Sequence, residues 1–306
     1  MFINLLPSFC IKAAHCSCAG PLTSATLDRG ESRVRVQGSR NLATALKGGS
    51  LKIIHLTDLH LAAIGRGLHG RDQYKRLQFA IADINARHSD AAFVLITGDL
   101  AYDGELAAYE VLLQGLNQLS IPFHLVLGNH DNRALFRKVF PSVPVDGNGF
   151  VQKVIDSPAG RFVFLDTNQP GIPIDWLCVQ RLQWADKALT ESAGCPVYLA
   201  LNNPPQSRGL RCMDVISGSQ QKALRNIIAR HGNVRHLFLG HVGQPAKSCW
   251  NGIPCSTHRG LNHQAARDFS GVNGRPETHM PPSYAVVEIA SDATTAHVHK
   301  LGGMRL

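Results

Sequence analysis

The segment LKIIHLTDLH, residues 51–60, is an apolar run of strand length that stops at a carboxylate and an imidazole. Similar runs, rich in β-branched residues, recur along the chain. They predict strands at residues 51–57, 92–97, 123–127, 162–165, 197–201, 236–239 and 284–289. Apolar residues repeat at helical spacing over 74–88, 106–116 and 224–231, where Gly232 is a helix stop. This alternation predicts an α/β fold with buried strands.

Two stretches of the chain depart from this pattern. The last strand, 284–289, alternates apolar and polar residues, which is typical of an edge strand or of a member of an antiparallel pair. Residues 240–282 are rich in glycine and proline and are predicted to form a loop region.

The composition bounds the class of protein. With 306 residues, of which 44% are hydrophobic and 17% charged, the chain can bury a core and is not disordered. It contains no apolar run near the ~18 residues that a membrane-spanning helix needs, so no membrane association is expected. The net charge of +9 favours anionic ligands. The basic residues are scattered, which argues against a nucleic acid polymer as partner.

Residues 1–49 differ in composition from residues 50–306, which form the predicted folded domain. The early apolar stretch lacks a preceding basic residue, so a disordered extension or an unused upstream start is favoured over a signal peptide. The eight cysteines include no Cys-x-x-Cys pair, and buried free thiols in a reducing compartment are expected. Metal binding by His15, Cys16 and Cys18 is a weaker alternative. A cytoplasmic location follows, while the oligomeric state stays open.

Polar side chains cluster where the predicted strands end. Asp58-x-His60, Gly98-Asp99, Gly128-Asn129-His130-Asp131, Asn202-Asn203-Pro204-Pro205 and Gly240-His241 are the clusters. Each alone is explained by a helix cap or a turn. Together they place carboxylates, imidazoles and amides at the carboxyl ends of strands, where sites form in α/β sheets. Such ligands suit Mn, Fe or Zn, and glycines before the ligands are expected to permit sharp turns.

These motifs resemble those of the calcineurin-like metallophosphoesterases. Trp250-x-Gly252-Ile253-Pro254 and Asn262-His263-Gln264 are similar to the class III cyclic-nucleotide phosphodiesterase branch. The resemblance covers residues 51–299, with Tyr284–Val287 and His297-x-His299 also fitting the branch. It implies a four-layer αββα sandwich. It also implies a pair of divalent metal ions, about 3.5–4 Å apart, that activate the water attacking phosphorus.

The resemblance also implies a role for each matching residue. Asp58 and His60 would bind one metal, Asp99 would bridge both metals, and Asn129, His241 and Asn202 would bind the second. His130 would protonate the leaving alkoxide, and Asp131 would orient the His130 imidazole. His60, Asp99, Asn129 and His130 would contact the nucleotide phosphate.

Two departures from the family pattern weaken the expected metal site. Asn202 stands where the family has a histidine ligand of the second metal, and Gly243 stands where it has a histidine ligand of the first. An amide oxygen is a weaker ligand than imidazole, and glycine offers no side chain. One metal ion, or two bound weakly, is therefore expected, with His258 or His263 as substitute ligands.

Three functions compete at this stage. The first is a phosphodiesterase for cyclic nucleotides with weakened metal dependence and a preference for 2′,3′-cyclic over 3′,5′-cyclic substrates. The second is a pseudoenzyme that binds a nucleotide or a partner without turnover, suggested by the two missing imidazoles. The third, a nuclease, is disfavoured because the chain lacks long basic stripes. Retention of His130 favours the enzyme.

Overall fold

The computed structural model describes residues 46–47, 49–68, 71–171, 176–202, 218–241, 246–262 and 281–302. Over these residues the chain forms twelve strands and five helices. The strands are β1 Leu46–Lys47, β2 Ser50–Thr57, β3 Val94–Thr97, β4 Phe123–Val126, β5 Lys153–Ser157, β6 Gly160–Phe164, β7 Val197–Leu201, β8 Val234–Leu239, β9 Ala246–Trp250, β10 Ile253–Thr257, β11 Ser283–Ile289 and β12 Thr294–Lys300. The helices are α1 Gln73–Arg87, α2 Leu106–Leu116, α3 Arg133–Val139, α4 Val179–Thr190 and α5 Gly218–His231.

The strands form two six-stranded sheets. The first has the order β12-β11-β2-β3-β4, with β1 paired to β2, and the second has the order β5-β6-β7-β8-β10-β9. Strands β2, β3 and β4 run parallel, as do β6, β7, β8 and β10, whereas β5, β9, β11 and β12 pair antiparallel to their neighbours. All seven predicted strands are present. The alternating strand β11 lies inside the first sheet, between β12 and β2, and pairs antiparallel to both. Of the two alternatives predicted for it, the edge position was wrong and the antiparallel pairing is confirmed.

Three apolar clusters define the layers. Side chains such as Ile53, Phe93, Phe162 and Phe238 form a cluster shared by the two sheets. The opposite face of the first sheet packs against α1, α2 and α3, and the opposite face of the second packs against α4 and α5. Because both faces of the central strands are covered, near-continuous apolar strands such as β7 are fully buried. The predicted four-layer αββα sandwich is confirmed.

The helix predictions for α1, α2 and α5 are confirmed, and α5 ends at Gly232, whose φ of 68° is in the left-handed region. Helix α1 begins after Asp72, whose carboxylate accepts a hydrogen bond from the Lys75 amide. Helices α3 and α4 were not predicted. The predicted loop 240–282 contains the antiparallel hairpin of β9 and β10, turned by Asn251 and Gly252, both with positive φ.

The boundary between the two predicted segments falls within a hairpin. Leu46 and Lys47 pair with Leu51 and Ser50, so the sheet includes residues that were assigned to the extension of residues 1–49. Residues 1–45 lie outside the described residues, so the disordered or unused extension stays a prediction. No helix in the described part of the chain combines the length and apolarity needed to cross a membrane.

Candidate metal centre

Both sheets direct site residues to one place. Asp58 and Asp99 follow the parallel strands β2 and β3 directly or after one glycine, and Asn129 follows the neighbouring strand β4. Asn202 and His241 come from the second sheet, after β7 and β8, which are also parallel. Because parallel strands end at the same edge, the polar residues that follow them converge there.

The first set of predicted ligands lies together in a buried position. One ligand atom from each of Asp58, His60 and Asp99 lies within 4.8 Å of the others. Nε2 of His60 is 3.9 Å from Oδ1 of Asp58 and 3.9 Å from Oδ2 of Asp99. Two carboxylates and an imidazole at this spacing fit a divalent transition metal.

Asp99 also reaches the second set of predicted ligands. Its Oδ2 atom, which faces His60, lies 3.7 Å from Nδ1 of His241. Nδ1 of His241 is in turn 3.0 Å from Oδ1 of Asn129, and Nδ2 of Asn202 is 3.3 Å from the same oxygen. One carboxylate oxygen within reach of imidazoles on both sides is the geometry expected of a bridging ligand.

Three glycines pack around the buried side chain of Asn202. A Cβ atom added to Gly98 would lie 1.8 Å from Oδ1 of Asn202, and one added to Gly128 would lie 2.6 Å from Nδ2. A Cβ on Gly240 would lie 2.7 Å from Oδ1. Sharp turns were expected to explain these glycines, but only Gly98 has positive φ. Gly128 and Gly240 are needed because the backbones of both sheets approach Asn202 closely.

The ligand residues carry strained backbone. Asp58, His60, Asp99 and His241 have φ angles of 52°, 40°, 47° and 63°, in the left-handed region that side-chain-bearing residues rarely adopt. Each such residue costs of order 1 kcal/mol or more, so the surrounding structure must impose the conformation. Strain of this kind concentrates at functional sites.

The two carboxylates have opposite pKa shifts. Burial and the adjacent charge of Asp99 raise the pKa of Asp58 to about 7. Burial also disfavours the charged form of Asp99, but the imidazoles of His241, His60 and His130 outweigh it and hold the pKa of Asp99 far below its usual range. Two buried carboxylates that compete for ionisation are stabilised by a cation between them. The residues present therefore fit the implied metal.

His130 lies at the exposed rim of this cluster. Its backbone amide donates to Oδ1 of Asp99 at 3.1 Å, and its ring centroid is 4.7 Å from that of His60. Nδ1 of the ring is 2.8 Å from the backbone carbonyl oxygen of Tyr102. Because a carbonyl only accepts hydrogen bonds, Nδ1 carries a proton, and Nε2 is the atom that can exchange one.

The role predicted for Asp131 was wrong. Its carboxylate does not contact the His130 ring and instead accepts bonds from the amides of Leu100, Ala101 and Gly128 and from the Tyr109 hydroxyl. Burial and the charge of Asp99 raise the pKa of Asp131 to about 7, against the amide bonds that favour its ionised form. Asp131 joins the loops after β3 and β4 because its buried oxygens satisfy their backbone amides.

Comparison with known proteins decides the family. The calcineurin-like phosphoesterase family matches residues 51–245 of the chain. The chain is a calcineurin-like phosphoesterase.

The phosphoesterase is similar to curated proteins over most of its length. It is 42% identical over 250 residues to "Probable cyclic nucleotide phosphodiesterase" of Rhodopseudomonas palustris, covering 81% of this chain and 91% of the relative. It is 26% identical to "Probable glycerophosphodiester phosphodiesterase" of Arcobacter nitrofigilis, covering 82% and 94%. The crystal structure of a dimetal phosphatase from Danio rerio has the same fold, with a TM-score of 0.63, 16% identity and coverage of 82% and 96%.

Some residues singled out from the sequence do not join the phosphoesterase site. His258 is buried against the ring of His55 at 4.5 Å, and its Nδ1 lies 3.0 Å from its neighbour's carbonyl oxygen. Within the described part of the chain it is not in the ligand group of Asp58, His60 and Asp99, so it is no substitute ligand there. Asn203, Gly243 and His263 lie outside the described residues.

The structure also reveals functional neighbours that the motifs did not single out. The Thr57 hydroxyl donates to Oδ2 of Asp58 at 2.8 Å and lies 2.7 Å from the carbonyl oxygen of Thr97. Nδ2 of Asn262, noted earlier only as a branch marker, donates to the carbonyl of Leu59 at 2.6 Å. Asn168 contacts the loop that carries His130. No motif marked Asn168, and Thr57, which directly precedes Asp58, was interpreted only as the last residue of a strand.

Proposed function

We propose that this phosphoesterase hydrolyses cyclic nucleotides. The observation that carries the proposal is the exposed ring of His130 beside the buried Asp58–His60–Asp99 group, with its Nδ1 already committed to Tyr102. A phosphodiester needs both a cationic pocket for phosphate and a proton for the leaving alkoxide. The name of the relative from Rhodopseudomonas palustris supports a cyclic nucleotide as the diester.

A divalent metal ion, Fe, Mn or Zn, would be held by Asp58, His60 and Asp99, and a second by Asp99, Asn129, His241 and Asn202. When bound, the metal lowers the pKa of water and withdraws charge from the phosphate oxygens. Asparagine at position 202 and glycine at position 243 predict weaker metal binding than in proteins that have a histidine at both positions. We expect one ion, or two bound weakly.

His130 would act as the proton donor through Nε2. The Tyr102 carbonyl fixes the ring by its Nδ1 proton in both the neutral and the charged form, so the ring does not rotate when Nε2 changes protonation. The amide of His130 holds the Asp99 carboxylate, which couples the position of the acid to the position of the bridging ligand. The net charge of +9 attracts an anionic nucleotide.

Among cyclic nucleotides we propose a preference for 2′,3′-cyclic over 3′,5′-cyclic substrates. A 2′,3′-cyclic phosphate is a strained five-membered ring, and its opening releases strain. A 3′,5′-cyclic phosphate has a less strained six-membered ring and needs more stabilisation from the site. Each tenfold loss of rate corresponds to about 1.4 kcal/mol, so a site with fewer imidazole ligands should lose the harder substrate first.

A glycerophosphodiester is the second candidate substrate. The relative from Arcobacter nitrofigilis carries that name, and its coverage of this chain is similar to that of the cyclic nucleotide relative. The identity of 42% against 26% favours the cyclic nucleotide. For location we propose the cytoplasm, supported by the free thiols of Cys178 and Cys249.

The test compares purified protein with added Mn and after chelation. The substrates are 2′,3′-cyclic AMP, 3′,5′-cyclic AMP and glycerophosphoethanolamine, with D99N as the inactive control. We expect turnover of the cyclic nucleotides that requires metal and is absent in D99N. Faster turnover of glycerophosphoethanolamine than of the cyclic nucleotides would identify a glycerophosphodiester as the substrate. Nucleotide binding without turnover of any substrate, with metal present, would leave only the pseudoenzyme.

A further inference from the structure

The loop of residues 128–131, which presents Asn129 and His130, is bound at both of its ends by a single side chain from the opposite sheet. Asn168 follows strand β6 of the second sheet and is 1% exposed. Its Nδ2 group donates to the carbonyl of Gly128 at 2.8 Å and to the carbonyl of Asp131 at 2.6 Å. One amide therefore joins the first and last residues of the loop.

Asn168 is itself fixed by a buried ionic network. Its backbone amide donates to Oδ1 of Asp166 at 3.0 Å, and its carbonyl accepts from Nη1 of Arg181 at 2.9 Å and from Nη2 of Arg133. Arg133 also binds the Asp166 carboxylate with two hydrogen bonds of 2.6 Å and 2.8 Å. Both guanidinium groups lie over the Phe150 ring. These contacts hold the backbone of Asn168, and therefore its side-chain amide, in place.

The chemistry of the contact selects asparagine. Two carbonyl oxygens need two N–H donors from one short, uncharged side chain, and of the side chains of this size only asparagine offers them. Aspartate would place negative charge against both carbonyls, and serine would supply one donor. Oδ1 of Asn168 has no hydrogen-bond partner in the part of the chain that the structure describes, so the amide is used here only as a donor.

We infer that Asn168 is a positioning residue that sets the placement of the His130 ring through the loop of residues 128–131. The inference rests on the proposed function, specifically on proton donation by His130. If the Asn168 side-chain amide is removed, the loop of residues 128–131 can shift. A displacement of about 1 Å at a proton donor lowers the rate about 10²-fold. Because the loop also carries Asn129, a proposed ligand of the second metal, N168A and the wild type are compared at saturating Mn, with bound metal measured in both.

The leaving group distinguishes this role from general destabilisation. An alkoxide leaving from a cyclic nucleotide needs a proton, whereas p-nitrophenolate leaving from bis-p-nitrophenyl phosphate does not. We expect N168A to lower kcat on the cyclic nucleotide about 30–100-fold with little change in KM, and to spare bis-p-nitrophenyl phosphate. N168S, with one donor, should be intermediate. In an H130A background, N168A should cost no further activity, because both changes act on the same proton.

N85A is the matched control. Asn85 also clamps a loop, since its Nδ2 donates to the Gln118 carbonyl at 2.7 Å and its Oδ1 accepts from the Ser120 amide at 2.8 Å. Its partners Gln118 and Ser120 precede strand β4, at the end of that strand opposite to Asn129 and His130, so N85A should leave both substrates unaffected. Equal losses of N168A on both substrates, or a further loss in the H130A background, would overturn the inference.

A spectroscopic readout keeps the inference independent of the proposed activity. Protein with ¹⁵N-labelled histidine shows which ring nitrogen of His130 carries the proton. We expect the Nδ1-protonated form in the wild type and N85A, and a mixture of forms in N168A because the contact with Tyr102 is weakened. An unchanged His130 signal in N168A refutes the positioning role. If instead H130A hydrolyses cyclic nucleotides at the wild-type rate, the proposed acid fails while the N168A signal still decides the placement.

Discussion

The backbone carbonyl oxygen of Tyr102 lies 2.8 Å from Nδ1 of His130, on the loop after the neighbouring strand. The carbonyl therefore decides which nitrogen of the ring is always protonated, and Nε2 is left to exchange protons. The His130 ring is thus oriented without an ionisable partner, because a main-chain oxygen takes the place of the carboxylate that often orients such a ring.

The first prediction tests the acid itself. His130→Ala should lower kcat on 3′,5′-cyclic AMP by about 10²–10⁴-fold, the usual contribution of a general acid. The preference for 2′,3′-cyclic AMP should shrink, because both reactions lose the same proton donor. Bound metal, measured by elemental analysis, should be unchanged. Equal or greater wild-type efficiency on 3′,5′-cyclic AMP would contradict the proposed preference.

The second prediction concerns metal content. We expect fewer than two tightly bound metal ions per chain. Combining N202H with G243H should raise both the metal content and the Mn-dependent turnover of bis-p-nitrophenyl phosphate, because imidazole binds transition metals better than an amide does. Elemental analysis before and after extended chelation measures the first part. Two ions that survive chelation in the wild type would reject it.

The third prediction concerns the close approach of the strands. A Cβ on Gly128 would lie 2.2 Å from Oδ1 of Asp99, so Gly128→Ala should destabilise the fold by about 1–3 kcal/mol and displace the Asp99 carboxylate. Gly147→Ala is the control, because no atom lies within 4 Å of a Cβ there, and its effect should stay within about 0.5 kcal/mol. Denaturant unfolding and metal analysis check both. Wild-type metal content in G128A would contradict the steric argument.

The fourth prediction concerns a buried lysine outside the site. Nζ of Lys153 lies 3.1 Å from Nδ1 of His124 and 5.1 Å from the Phe164 ring centroid. Burial lowers the pKa of Lys153 from 10.5 to about 7, and burial and Lys153 together lower the pKa of His124. Between about pH 7 and 10 the unfolded chain therefore binds a proton at Lys153 that the folded chain does not, and stability rises with pH.

Lys153→Met removes this titration. The variant should be more stable than the wild type by about 2–3 kcal/mol near pH 6–7, and the difference should diminish towards pH 10. Urea unfolding at several pH values measures it. Lys187→Met is the control, because that side chain is 75% exposed and should show no such trend. A constant difference across the pH range would show that Lys153 is charged throughout.

Periodicity was sufficient to predict the strands that carry the site, because strands buried on both faces are almost wholly apolar and end sharply at polar residues. It missed α4, where the fully buried Arg181 interrupts the apolar stripe to bind the Asp166 and Asn168 carbonyls. It also missed the hairpin of β9 and β10, because Asn251 and Gly252 resemble an ordinary loop.

The motifs predicted which residues would meet, and the structure brings Asp58, His60, Asp99 and His241 together. They did not predict the partners of each residue. Asp131 follows His130 directly, which suggested contact, yet adjacent residues point in different directions and its carboxylate binds amides instead. Asn168 could not be found because its contact spans the two sheets, and sequence spacing carries no information on such contacts.

The left-handed backbone at Asp58, His60, Asp99 and His241 bears on how the protein can evolve. Glycine or asparagine adopts this conformation more readily, by about 1 kcal/mol or more for glycine. A library of variants selected for heat resistance alone should therefore accumulate glycine or asparagine at these four positions, and lose metal binding as it does so. Selection for turnover should restore the original residues first at Asp99, the position that the two proposed metal sites share.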